Sequence, residues 1–128
     1  MADVIIIDTG AGISPAVMEF LVASPETILV TTPEPTSITD SYALLKALSM
    51  NENFKKDETT IKMIANRVDS EAEGRSLYEK LNVVVMKFLE INMQYLGAVP
   101  QDNNIKKAIM KQKPVSMIFP NATSSRHF

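Results

Sequence analysis

The sequence contains no cysteine and no tryptophan, and its one histidine, His127, stands next to the last residue. Without cysteine there is no disulfide framework, no thiolate metal site and no cysteine nucleophile. A lone histidine in the tail argues against a histidine-based triad and a histidine metal site. No stretch approaches the ~18 apolar residues of a membrane-spanning helix. Asp3 and Asp8 also stand where a signal peptide would carry a lysine and a long apolar run.

A chain of 128 residues is long enough to bury one hydrophobic core, and we expect one domain over residues 1–128. Hydrophobic residues make up 45% of the chain and charged residues 22%, which excludes a disordered or collagen-like protein. The absence of cysteine fits a reducing compartment, and we expect a cytoplasmic protein.

The net charge of −2 conceals an uneven distribution. Residues 1–45 contain six acids and no base, whereas residues 103–128 contain five bases and no acid. Such a chain can steer a partner or an anionic surface towards itself, although separate solvated helix faces explain the pattern as well. Because the lysine-rich stretch 106–113 holds no aromatic residue, we expect no nucleic-acid partner.

Strand-like and helix-like segments alternate along the chain, which is typical of a parallel sheet with helices on its faces. We therefore predict an α/β fold of the Rossmann-like, three-layer α/β/α type, with a mostly parallel sheet of about four or five strands. Residues 3–8 form a β-branched apolar run without alternation, which predicts a strand buried on both faces. The predicted strands cover residues 3–8, 27–32, 60–66 and 95–99.

Capping residues mark where the helices begin. Ser14 precedes Pro15 at a helix start, Ser37 and Asp40 have capping-box spacing, and Asp102 is placed to cap another helix. A long helix is predicted from about residue 70 to residue 92, with an apolar stripe at helical spacing. Residues 114–120 are predicted to be extended or briefly helical, and the polar tail 121–128 is predicted to fray.

In open parallel sheets, ligands bind beyond the carboxyl ends of the strands. At the first of these ends, Asp8 precedes a turn containing Gly10 and Gly12. A carboxylate can hold a water of Mg²⁺, and small residues let a backbone N–H approach a phosphate oxygen. The pattern therefore suits a phosphate-and-magnesium site, although an aspartate that only caps a turn explains it equally well.

The later strand ends offer further candidates. Asn66 carries both a donor and an acceptor and suits the edge of a base, but asparagine is also a common turn-former. Arg67 is placed to stack on a ring, to pair with Glu34, or to remain exposed. At the last strand end Asp102 follows Pro100 and Gln101, and its capping role is expected whatever else it does.

Taken together, these segments resemble the MinD/ParA family of deviant-Walker P-loop ATPases. Residues 5–13 resemble the Walker B and switch II segment, and residues 64–68 the strand end that reads adenine. Residues 31–42, 96–102 and 113–114 are similar to further signatures of the family, in the same order. The sequence of residues 35–42 most resembles that of the flagellar branch (FlhG/YlxH), whose members control flagellar number and placement.

The resemblance implies roles for particular residues. Asp8 would hold the Mg²⁺-bound water, and Gly10 would offer its N–H to the γ-phosphate. The nucleotide base would be bound by Asn66 and Arg67 and by the turn of Pro100, Gln101 and Asp102. For the intact protein the resemblance implies ATP, Mg²⁺, a nucleotide-switched homodimer and flagellar assembly proteins as possible partners.

The sequence departs from this family in one respect. The glycine-rich phosphate loop and the switch I aspartate, expected upstream of residue 3, are absent from these 128 residues. The chain therefore resembles the carboxy-terminal portion of such an ATPase, and we expect weak nucleotide binding and no ATPase activity from it alone. We also expect the unpaired edge at residues 4–7 to recruit another chain and give a dimer.

An interaction module and a receiver-like regulator are the two alternative functions. A non-hydrolysing interaction module would retain only the partner-facing helices, residues 37–50 and 70–92. A receiver-like regulator needs clustered acids on its first strand, whereas Asp3 and Asp8 stand at opposite ends of that run. Any membrane contact is expected through segments outside these residues.

Overall fold

In a computed structural model, residues 2–128 are described and build a parallel sheet with the strand order β1-β2-β3. Both strand pairs are parallel, which confirms the α/β prediction. The strands are β1 (Glu26–Thr31), β2 (Thr60–Val68) and β3 (Gln94–Pro100). The helices are α1 (Pro15–Ala23), α2 (Pro35–Ser49), α3 (Glu71–Leu89), α4 (Asn103–Met110), α5 (Val115–Ile118) and α6 (Thr123–His127).

The prediction of four or five strands was wrong, because the described residues form three. Residues 3–8 belong to no strand, and Ile5 and Ile6 are 80% and 87% exposed rather than buried. A strand exists only where its backbone groups pair with a neighbour, and residues 3–8 are paired with none of the three strands. A β-branched run favours the extended conformation but cannot supply that neighbour.

The hydrophobic core lies on one face of the sheet. Leu29, Met63 and Ala65 point to that face, where α2 and α3 cover them. On the opposite face of β1, Ile28 and Val30 are 55% and 53% exposed. The described residues thus build two layers of the expected three-layer arrangement.

The long helix α3 carries the predicted stripe in part. Leu77, Leu81, Val85 and Leu89 are buried, whereas Phe88 is exposed. The helix ends three residues earlier than predicted, because Glu90 adopts a left-handed backbone and its N–H returns to the Met86 carbonyl. Neither α3 nor any other helix among residues 2–128 is long and apolar enough to cross a membrane.

The capping predictions had different outcomes. The Ser14 hydroxyl accepts from the Val17 N–H at the start of α1, as predicted. The capping box at residues 37–40 was wrong, because α2 begins at Pro35 after Glu34, which provides no side-chain cap. The Ser37 hydroxyl instead accepts from the Thr32 N–H and ties α2 to the end of β1.

The carboxy-terminal tail is packed, so the prediction that it frays was wrong. Asp102 caps α4 by accepting from the Asn104 N–H, and its second oxygen accepts from the N–H and the hydroxyl of Ser124 in α6. Ser124 is fully buried, and His127 Nδ1 lies 2.8 Å from the Ala98 carbonyl oxygen on β3. One carboxylate therefore fixes both the start of α4 and the position of the tail.

Gly74 allows α3 to approach the sheet closely. A Cβ atom at this position would lie 2.7 Å from Ala98 Cβ and 3.3 Å from Ala65 Cβ. We expect Gly74→Val to lower the free energy of unfolding by about 1–3 kcal/mol in urea denaturation, because the added side chain overpacks this contact. Gly10→Val is the matched control, since a Cβ at Gly10 meets nothing within 4 Å; equal losses for both variants would contradict the prediction.

The Asp102 carboxylate makes stability depend on pH. Hydrogen bonds from the backbone of Asn104 and Ser124 hold the pKa of Asp102 below its ordinary value of 3.8. A carboxylate whose pKa is lower in the folded than in the unfolded state stabilises the fold at every pH above its ordinary pKa. This stabilisation is lost as the pH falls through the lowered pKa of the folded state. We expect Asp102→Asn, which keeps an N-cap but loses the acceptor for Ser124, to lower the Tm at neutral pH.

The difference in Tm between this variant and the unaltered chain should shrink as the pH falls below 3.8. Thermal unfolding followed by circular dichroism across this range measures it. A difference that stays constant with pH would show that the Asp102 charge does not stabilise the tail.

Candidate functional site

The parallel strands bring their carboxyl ends to one edge of the sheet, where the predicted site residues follow them. The Gln101 N–H donates to the Val68 carbonyl oxygen over 2.9 Å, which continues the pairing of β2 and β3 past the end of β3. An Arg67 guanidinium nitrogen lies 3.3 Å from a carboxylate oxygen of Glu34, after β1. The strand ends therefore converge, and of the three alternatives for Arg67 the structure shows the pair with Glu34, in which both side chains remain exposed.

Asp8 reaches the same edge although its segment is not a strand. It lines an open cleft of about 920 Å³ together with Thr32, Glu34 and Arg67. The Asp8 side chain is exposed rather than enclosed in the apolar core. Its carboxylate is thus accessible to a ligand that enters the cleft.

The turn after Asp8 is open to approach. A Cβ at Gly10 would have no neighbour within 4 Å, and Gly12 has a φ of +101°, which favours glycine. Gly10 lines the cleft beside Asp8. The backbone at this turn therefore leaves space for another group to come close.

Arg67 owes its position to a β-bulge. Asn66 pairs with Val99 and Val68 pairs with Pro100, so Arg67 is an extra residue on β2 with a φ of +57°. A left-handed backbone costs a residue other than glycine about 1–3 kcal/mol, and a bulge redirects the side chain. The strand therefore runs to Val68, two residues further than predicted, with Arg67 projecting towards Glu34.

The other candidates for base recognition have different surroundings. Asn66 lies within β2, half-buried, and occupies the face opposite the buried Ala65. Pro100 is the buried last residue of β3, and the Gln101 side-chain amide donates to the Arg67 carbonyl oxygen over 3.3 Å. Both carboxylate oxygens of Asp102 accept hydrogen bonds within the chain, so this side chain positions the turn.

Hydroxyl groups form a part of the cleft that the sequence did not reveal. Ser41 lines the cleft and shares a hydrogen bond of 2.8 Å with the buried hydroxyl of Thr31. Thr27 and Thr32 line the cleft, and their buried hydroxyl oxygens make no hydrogen bond within the chain. Serine and threonine occur at many strand ends and helix starts, so no sequence signal distinguishes the hydroxyl residues of the cleft from the other serines and threonines of the chain.

The charges of the cleft are predominantly negative. Asp8, Glu34 and Asp40 are carboxylates, and Arg67 is the one basic side chain among the described residues that line it. No group of three or more histidine, aspartate or glutamate side chains within residues 2–128 is arranged to hold a metal ion. The cleft by itself therefore opposes the approach of a polyanion.

A second perturbed group lies away from the cleft. Burial and the neighbouring Glu71 carboxylate raise the pKa of Tyr95, whose hydroxyl lies 3.4 Å from that carboxylate. The Arg75 guanidinium stands 4.9 Å from the centre of the Tyr95 ring and partly offsets the effect. This group joins α3 to β3 and supports the sheet rather than the site.

Several curated proteins are similar in sequence to nearly the whole of this chain. No protein-family model matches it. It is 41% identical over 126 residues to the antiactivator FleN of Pseudomonas aeruginosa, covering 98% of this chain and 44% of FleN. It is 40% identical over 120 residues to the flagellum site-determining protein YlxH of Helicobacter pylori, covering 93% of this chain and 39% of YlxH.

More distant similarities are found both in sequence and in structure. The septum site-determining protein MinD of Bacillus subtilis is 26% identical over 122 residues. The structure of a ParA family ATPase from Chlorobium tepidum superposes with a TM-score of 0.65 at 22% identity, covering 91% of this chain and 43% of that one. The chain spans less than half the length of FleN, YlxH and this ATPase. By sequence and fold, the chain belongs to the MinD/ParA family of P-loop ATPases, within the flagellar branch of FleN and YlxH.

Proposed function

We propose that these residues form the carboxy-terminal portion of a MinD-like ATPase domain that regulates flagellar number and placement in the cytoplasm. The observation that carries the proposal is the meeting of Asp8, Glu34 and Arg67 at one cleft, beside the turn of residues 100–102. The 41% and 40% identity to FleN and YlxH supports the flagellar role. In the intact protein, nucleotide-dependent dimerisation would switch the regulator between partners.

The cleft residues fit the nucleotide and magnesium that the family implies, but only in part. Asp8 offers one accessible carboxylate, which suits an outer contact to a hydrated Mg²⁺ and not a resident metal site. Asn66 and the residue 100–102 turn would bind the base, and Gly10 would face the phosphates. When bound, ATP would supply the phosphoryl group, and Mg²⁺ would neutralise part of the negative charge of the phosphates.

The charge of the cleft explains why this chain alone should bind nucleotide weakly. Three carboxylates and one guanidinium line it, so a triphosphate meets net repulsion. Phosphoryl transfer depends on backbone donors and cations that stabilise the developing charge. The 128 residues contain no Gly-Lys-Ser or Gly-Lys-Thr run to provide them.

A thermal shift assay tests this weakness directly. A ligand stabilises a folded protein by RT ln(1 + [L]/Kd), so weak binding leaves the Tm nearly unchanged. We expect millimolar Mg-ATP to leave the Tm of this chain where magnesium chloride alone leaves it. A clear rise in Tm that increases with ATP concentration would refute the prediction.

The flagellar role is tested in the longer protein that carries these residues. We expect Asp8→Asn to lower its ATP hydrolysis by roughly 10–100-fold, the effect of removing a partner that orients a metal-bound group. Flagellar number, counted by electron microscopy in the host bacterium, should change with it. Asp3→Asn is the matched control, because Asp3 is an exposed carboxylate in the same segment that does not line the cleft.

A non-hydrolysing interaction module is the second candidate. It is favoured by the exposed apolar side chains of α3, where Val83 and Phe88 are 65% and 64% exposed. This candidate would prevail if Asp8→Asn left flagellar number unchanged while Phe88→Ser altered it. A change with Asp8→Asn and none with Asp3→Asn would support the ATPase.

A further inference from the structure

The turn of residues 100–102 is attached to α6, a helix more than twenty residues away in sequence. We propose that Ser124 and His127 of α6 are positioning residues for this turn. They hold it in the conformation that accepts a nucleotide base and make no contact with the nucleotide themselves. Because the turn is assigned to the base only under the proposed function, this positioning role rests on that function and deepens it.

Ser124 attaches the end of the turn. Its backbone N–H and its hydroxyl both donate to one carboxylate oxygen of Asp102, over 3.1 Å and 2.8 Å. Ser124 is fully buried, so its donors are shielded from water, and hydrogen bonds to a charged acceptor are about twice as strong as neutral ones. The other Asp102 oxygen accepts from the Asn104 N–H. The carboxylate is therefore fixed between α4 and α6.

His127 attaches the strand that leads into the turn. Its Nδ1 atom lies 2.8 Å from the Ala98 carbonyl oxygen, and because a carbonyl oxygen can only accept, Nδ1 is the donor. The Glu71 carboxylate of α3 lies 3.6 Å from the same nitrogen and also favours a proton there. Ala98 precedes Pro100, the buried last residue of β3, by two residues. With Ser124, α6 thus holds the chain on both sides of Pro100 and Gln101.

The packing of the helices makes the turn depend on α6. The helix α4, which begins at the turn, packs on α5, α5 packs on α6, and α6 packs on β3. The backbone and side-chain amides of Gln101 tie the turn to β2, and α6 supplies its second attachment. A loop that is ordered before binding loses less conformational entropy when a ligand binds. Loss of the α6 bonds should therefore weaken nucleotide binding and leave the chemical step unchanged.

Steady-state ATP hydrolysis by the longer protein that carries these residues tests the positioning role. We expect Ser124→Ala to raise KM for ATP by roughly 5–10-fold at unchanged kcat, because nucleotide binding must then order the turn. Ser125→Ala is the matched control. It removes a hydroxyl from the same helix, but this hydroxyl donates to the Phe119 carbonyl oxygen over 2.6 Å and not to the turn, so KM should stay unchanged. Circular dichroism verifies that each variant folds.

Two further measurements separate positioning from a general loss of stability. In the 128-residue chain without nucleotide, the Gln101 amide hydrogen should exchange faster in Ser124→Ala than in Ser125→Ala, because the turn opens more often. In the longer protein, His127→Leu should raise KM, whereas His127→Asn should keep it near the unaltered value. The asparagine amide nitrogen can replace Nδ1 as the donor to Ala98.

The outcomes distinguish failure of the positioning role from failure of the proposed function. Equal KM values for Ser124→Ala and Ser125→Ala, equal exchange at Gln101 in these two variants, or a His127→Asn variant that behaves like His127→Leu would each overturn the positioning role alone. A longer protein that neither binds nor hydrolyses ATP would overturn the proposed function, and the positioning role with it.

Discussion

Parallel pairing of the three strands is the constraint on which the site depends. The carboxyl ends of parallel strands lie at the same edge of the sheet. The residues that follow β1, β2 and β3 are therefore brought together at this edge. The bulge at Arg67 and the hydrogen bond from Gln101 to Val68 then fix how they meet. The part of the site that these strand ends contribute therefore depends on backbone register, whereas Asp8 lies on a segment that pairs with none of the strands.

The sequence predicted the elements that depend on local chemistry. Ser14 and Asp102 cap helices as expected, and the β strands from residue 26 onwards lie within two residues of their predicted ends. It failed at the start of α2, where the predicted capping box does not form, and where the outcome depends on a distant partner. Residues 3–8 have every local property of a strand but no neighbour, and the tail is ordered by a contact between Asp102 and Ser124, 22 residues apart.

The candidate site, too, was predictable from the sequence only in part. The positions of Asp8 and Asn66 at predicted strand ends, together with the resemblance to a known family, made them candidates, and the structure brings Asp8 and Arg67 to one cleft. The left-handed backbone of Arg67 could not be foreseen, because arginine carries no preference for it and the bulge appears only when β2 is aligned with β3. The roles of these residues towards a nucleotide remain predictions.

The two oxygens of Asp102 give the tail a mechanical role. One oxygen holds the first turn of α4 and the other holds Ser124, so residues 100–102 and α6 are joined by a single side chain. His127 adds a second attachment at Ala98, four residues before that carboxylate. A ligand that displaces this turn must either displace α6 as well or break the hydrogen bonds to Ser124. A shift of the turn at the sheet edge would therefore change the position of the last residues of the chain.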